Sequence, residues 1–118
     1  MTIRDIIENL PAHLVYGISG YQDIVVKAIV AGDLMSDILV SVETNALLVT
    51  SLATEQTIRS ADIVGAVAIL LVNDKLPRPA MKTLAEECGI TLLATPMPMY
   101  ETCVTLDYLQ DCHNEESH

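Results

Sequence analysis

Apolar residues recur along the chain in two periods, one helical and one suited to buried strands. Ile3, Ile6, Ile7 and Leu10 fall at helical spacing. Thr2, with Asp5 three positions on, forms a variant of the capping box, and Pro11 stops the helix. A short apolar piece, Leu14 to Tyr16, leads into Gly17 and Gly20, and Ile24 to Val30 is rich in β-branched residues with Lys27 interrupting; both predict strands. Gly32 and Asp33 begin a turn. After it, Leu34, Met35, Ile38, Leu39 and Val42 mark the apolar face of a helix whose other face carries Ser36, Asp37 and Ser41.

The second half repeats the alternation. Ala46 to Thr50 is a continuous apolar run of strand length, and Thr54 is placed to cap a helix in which Glu55 and Arg59 lie four residues apart. Ala66 to Val72 predicts another buried strand. Pro79 then opens a helix with Ala80, Met81, Leu84, Ala85 and Cys88 as its buried stripe, and Gly89 closes it. Thr91 to Ala94 predicts a last short strand. Beyond Pro96 and Pro98, a helix from Met99 to Asp111 is expected to bury Cys103, Leu106 and Tyr108, and the polar residues His113 to His118 form a frayed tail. Strands apolar throughout, each followed by an amphipathic helix, predict an α/β fold: a mostly parallel sheet of four to five strands covered by helices on both faces.

Composition narrows the function classes. The 118 residues, 51% of them hydrophobic, suffice for one domain over residues 1–112 that needs neither disulfide nor metal to build a core. With no Trp, no Phe and four Tyr, the core is aliphatic and there is no aromatic platform for stacking bases. Sixteen acidic against six basic residues give a net charge of −10, which repels phosphate backbones and anionic lipid, so neither nucleic acid nor membrane is expected as a partner. Ile63 to Val72, the longest apolar run, is too short for a bilayer span. Arg4, Asp5 and Glu8 stand where a signal peptide needs an apolar stretch, so a cytoplasmic location is expected. Three cysteines, two of them on apolar helix faces, predict no disulfide framework.

Candidate chemistry gathers in a few places. In open α/β sheets, ligands bind outside the carboxyl ends of the strands, here Thr50, Ser51, Asn73, Asp74 and Thr95. Hydroxyls with an amide suit a nucleotide base or sugar better than a phosphate, because Glu55 and Glu101 already occupy the positive ends of helix dipoles. Turn chemistry and capping account for the same residues without a ligand. Asp33 and Asp37 offer two carboxylates beside Ser36, suited to a cation or to acid–base work, although capping explains Asp33 and a solvated helix face explains Asp37. Gly17 and Gly20 lack the lysine and further glycines of a phosphate loop. Cys112, His113, Glu115, Glu116 and His118 form a metal-ligand set on paper, but in a terminal acidic tail they are read as adventitious, and no metal or cofactor is expected. His13 has no evident nucleophile and orienting carboxylate, so no hydrolytic triad is expected. Met97, Met99 and Tyr100 place flexible apolar side chains and an aromatic in one loop, a composition suited both to a binding surface for a partner and to ordinary loop packing.

From Val15 to Leu109 the order and spacing resemble the DRTGG domain, above all its small stand-alone forms in anaerobic bacteria and archaea. The resemblance rests on Gly32-Asp33-Leu34-Met35-Ser36-Asp37, then Leu76-Pro77, Gly89-Ile90, and Thr95 with Tyr100-Glu101-Thr102. The namesake residues differ: Thr54-Glu55-Gln56 and Val72-Asn73-Asp74 stand in their regions. The family is a regulatory module, fused elsewhere to phosphate acetyltransferases and nucleotide-regulated pyrophosphatases, and it is distantly similar to the N-terminal domain of HPr kinase. The resemblance implies a non-catalytic accessory domain that dimerises and serves a protein partner in anaerobic redox, hydrogenase or phosphoryl metabolism. The alternative is a sensor of a small, nucleotide-like molecule at the carboxyl edge of the sheet.

Overall fold

The computed structural model describes residues 1–33 and 44–116, with side chains through Cys112. Helix α1 spans Ile3–Asn9 and is capped as its sequence predicts. The Asp5 amide donates to the Thr2 hydroxyl (3.3 Å), while the Thr2 amide donates to the Asp5 carboxylate (2.8 Å), satisfying two end groups reciprocally. Strand β1 is His13–Tyr16, a 3₁₀ turn covers Tyr21–Asp23, and β2 is Ala28–Ala31. Strand β3 (Ala46–Thr50), helix α2 (Glu55–Val64), strand β4 (Ala68–Leu71), helix α3 (Pro79–Cys88), strand β5 (Thr91–Ala94) and helix α4 (Met99–Glu116) follow.

The sheet order is β1-β5-β4-β3-β2. The three pairings among β2, β3, β4 and β5 are parallel, and β1 adds to β5 antiparallel. The mostly parallel sheet with helices on both faces is therefore the observed architecture. Alternate residues of each strand feed two cores. Leu48, Ile69, Leu71 and Leu92 pack with Ile58, Met81 and Ala85 of α2 and α3. Leu47, Val49, Leu70, Val72 and Leu93 pack with Ile3 and Ile6 of α1 and Leu106 of α4. Burial on both faces explains why β3, β4 and β5 read as unbroken apolar runs.

Several expectations need correcting. The β-branched stretch beginning at Ile24 does not start a strand there. Its backbone is claimed by the N-terminus, with the Ile3 amide donating to the Ile24 carbonyl (3.1 Å) and the Val26 amide to the Met1 carbonyl (2.8 Å), so β2 begins only at Ala28. Ala80 is exposed and stands outside the stripe of Met81, Leu84, Ala85 and Cys88. Glu55 and Arg59 do not approach to ion-pairing distance, and Thr54 occupies the cap position without a side-chain hydrogen bond to the helix amides. Helix α4 continues to Glu116, past the end expected at Asp111 and into the polar tail. It buries Thr102, Leu106 and Leu109, whereas Cys103 is half-buried and Tyr108 is 67% exposed. The helix expected over Leu34 to Val42 lies outside the described residues. Among the described residues no helix is long and apolar enough to cross a membrane.

Candidate functional site

Parallel strands end together, so the carboxyl edge gathers the residues that follow β2, β3, β4 and β5. Two seams form there. In the first, Asp33, just beyond β2, reaches the end of β3. One carboxylate oxygen accepts from the Thr50 hydroxyl (2.9 Å) and the Ser51 amide (2.7 Å), and the other from the Ser51 hydroxyl (2.6 Å). Thr50 is fully buried, and its oxygen also accepts from the Leu52 amide (3.2 Å). Partial burial of Asp33 pulls its pKa upward, but the hydrogen bonds from Ser51 and Thr50 outweigh that and hold it below the ordinary value. The site thus holds a fixed anion and not a proton acceptor poised for neutral pH.

The second seam ties β4 to β5 and the loop entering α4. Asn73 and Asp74 both adopt left-handed backbone (φ 59°), a conformation Asn and Asp tolerate better than other side-chain-bearing residues. That reversal lets the Asn73 amide donate to the Met97 carbonyl (2.8 Å) and the Asp74 amide to the Thr95 carbonyl (3.2 Å). The Asn73 side-chain oxygen accepts from the Met99 amide (3.3 Å). Thr95, 1% exposed, donates its hydroxyl to the Pro11 carbonyl (3.2 Å) and accepts from the Met97 amide (3.3 Å).

The five strand-end residues therefore do meet at one edge, but Thr50, Ser51 and Thr95 spend their hydroxyls on the protein itself. Gly32 and Asp33 belong to the same edge; Ser36 and Asp37 lie outside the described residues. Glu101 is exposed in the first turn of α4. Of the loop residues, Met97 and Met99 pack half-buried against the core under α1 and α4, and Tyr100 stands 79% exposed. Tyr100 heads a stripe that Val104 (51% exposed) and Tyr108 continue at intervals of four residues, flanked by Glu101, Asp107 and Asp111. Burial raises the pKa of the Cys103 thiol, which suits a packed side chain rather than a nucleophile. Among the described residues no group of three metal-ligating side chains converges; of the set at Cys112 to His118, only the Cys112 side chain is among those described.

Topology bears on what this edge holds. Ligand crevices in open α/β sheets open where the strand order reverses and successive crossover helices leave on opposite faces. Here β2, β3, β4 and β5 stand side by side in chain order, and α2 and α3 pack on the same face. Between the starts of those two helices, Ala53, Thr54, Glu55, Arg78 and Met81 enclose a cavity of about 70 Å³. A larger one, about 260 Å³, lies at the opposite, amino edge. No strand-end reading of the sequence points there, and its signals are the turn glycines: Gly20, Gly65 and Gly89, all at positive φ.

No family model matches the chain, and no curated protein sequence matches it. Among solved structures, the chain is similar to the CBS and DRTGG domains of the regulatory region of Clostridium perfringens pyrophosphatase, complexed with the activator diadenosine tetraphosphate. The TM-score is 0.74 over 88% of this chain, at 12% identity, and the chain spans 45% of the length of that one. The likeness is one of fold, and it agrees with the resemblance carried by the sequence motifs: this chain has a DRTGG-like α/β fold.

Proposed function

We propose that this chain is a non-catalytic regulatory module that works as a homodimer and through a protein partner. The observation that carries the reading is the carboxyl edge, where an α/β enzyme or sensor keeps its reactive groups. There the Asp33 carboxylate and the Thr50, Ser51 and Thr95 hydroxyls hydrogen-bond within the protein and stitch neighbouring strands together. The fold of a regulatory region in a pyrophosphatase supports it. We place the partner surface on Tyr100, with Met97 and Met99 as its half-buried base and Val104 and Tyr108 continuing it. Helix α4 contains no Lys or Arg, so this face suits a partner segment whose apolar residues are flanked by basic ones. An anaerobic redox, hydrogenase or phosphoryl-metabolism context follows from the motif resemblance.

A second reading, a nucleotide-like sensor, draws on the nucleotide activator bound to the similar regulatory region. It places the ligand on Asn73 and Asp74, which are exposed, beside Thr50, Ser51 and Thr95. Thermal unfolding against nucleotides, acyl phosphates and divalent metals, with the solution mass measured alongside, separates the two. A ligand at about 100 times its Kd stabilises the folded state by roughly 2.7 kcal/mol, a shift of several degrees. The module reading expects a flat panel and twice the 12.8 kDa chain mass. A nucleotide-dependent shift that disappears in Asn73→Ala selects the sensor, and a monomer with a flat panel removes the homodimer.

A further inference from the structure

The amino edge of the sheet carries the larger cavity, and its walls have a consistent chemistry. One wall is the loop after β1. A side chain at Gly17 would come within 2.7 Å of the Tyr21 ring, and Gly20 takes φ 80° to start the 3₁₀ turn, so both glycines are needed for the loop that carries Ile18 and Ile24. The opposite wall is formed by the ends of α2 and α3 and the residues entering β4 and β5: Asp62, Ala66, Val67, Cys88 and Ile90, with Gly65 and Gly89 between. Two helix C-termini thus converge on one cavity. Their glycine caps engage the carbonyls of Ala61, Asp62, Ala85 and Glu86. The last carbonyls of each helix receive no bond from the caps, and each helix end carries partial negative charge. The exposed Asp62 carboxylate adds a full negative charge, and among the described residues no basic one lines the cavity. The rest of the lining is aliphatic, apart from the Cys88 thiol.

We propose that this cavity is a binding site for a small organic cation, a primary amine carrying a compact apolar body. The ammonium sits at Asp62 and the two helix ends, and the body lies against Ile18, Ile24, Val67 and Ile90. Size fits the class: an apolar cavity of about 150 Å³ holds benzene, so about 260 Å³ takes a ring with a short aminoalkyl arm. Anions are disfavoured by the same three negative features. The site is independent of the carboxyl edge, so it stands or falls apart from the regulatory reading.

Phenethylammonium, 2-phenylethanol and 3-phenylpropanoate are matched probes that differ mainly in charge. Titrated into the full chain and followed by amide chemical shifts, phenethylammonium is expected to move Gly65 to Val67 and Gly89 to Ile90. The alcohol moves the same amides at higher concentration, and the carboxylate moves none. Asp62→Asn, at an exposed position, weakens the amine about fivefold and leaves the alcohol unchanged. In the unmodified protein the amine slows alkylation of Cys88 while Cys112 reacts at its former rate, a readout that requires no variant. Equal shifts from all three probes, shifts located away from these amides, no shift at all, or an amine affinity indifferent to Asp62→Asn overturns the proposal.

Discussion

Through its carboxylate, Asp33 ties the end of β2 to the end of β3. Its position after a predicted strand and before a predicted helix marks it as a cap, and its neighbours Ser36 and Asp37 make it a candidate for chemistry. Its contacts among the described residues are tertiary, to Thr50 and to Ser51, 18 positions on, and that distance in sequence is why no local pattern reveals them. Replacing it with Asn keeps the size and removes the charge that the two hydroxyls and one amide address. We expect Asp33→Asn to cost about 1 kcal/mol at neutral pH in denaturant unfolding, the lower end for charged hydrogen bonds because the group is exposed. The folded pKa is lowered, so the contribution is full above the unfolded carboxyl pKa of about 3.9 and disappears as pH falls through the folded value. The gap between wild type and variant should therefore be constant from neutral pH down to about 5 and close in stronger acid; a gap that persists there means Asn harms the edge for another reason. Asn73 gives the complementary case. At φ 59° it holds the β4 turn by backbone conformation, and its side chain accepts from the Met99 amide, so Asn73→Ala, which strains the first and loses the second, should cost about 2 kcal/mol, and Asn73→Gly, which loses only the second, about half as much.

At the scale of elements, legibility followed burial. Strands β3, β4 and β5 are buried on both faces, and their unbroken apolar runs needed no tertiary context to be recognised. Pro79 and Gly89 mark both ends of α3 for the same local reason: a ring suited to the first turn and a residue able to take φ 68°. The start of β2 was illegible because Ile24 to Val26 pair with residues from the other end of the N-terminal segment. In α4 the helix was legible but its face was rotated: Thr102, Leu106 and Leu109 point inward, and a polar Thr at the first of these hides the stripe. Thr102 is accommodated there because its hydroxyl donates to the Pro98 carbonyl (2.9 Å). The corrected face makes a contrast measurable by thermal unfolding. Leu106→Ala should cost about 3 kcal/mol, as full burial and a residual cavity require, while Val104→Ala, half-exposed on the other face, should cost under about 0.5 kcal/mol. Comparable losses at both positions would mean that something covers the Tyr100–Val104–Tyr108 stripe in solution.

For the whole molecule, the sheet order was beyond the sequence, since every strand after β1 is equally apolar and only the pairing of β1 with β5, across most of the chain, fixes which edge closes where. That order also shapes the carboxyl edge, because β2 to β5, parallel and laid down in chain order, lack among themselves the reversal that opens a crevice. The molecular surface is acidic. Two copies each carrying −10 repel one another at long range. A homodimer of this chain must therefore form against its own charge, and its association should tighten as salt shortens the screening length from about 30 Å at 0.01 M to about 3 Å at 1 M. It should tighten again as pH falls toward the isoelectric point near 4.4. A basic partner on the α4 face shows the reverse, binding best at low salt, where the acidic flank attracts it. Sedimentation equilibrium across that salt range reads both signs. Dimerisation that weakens with salt would place complementary charged patches at the interface, and would move it away from α4, which has no Lys or Arg to contribute.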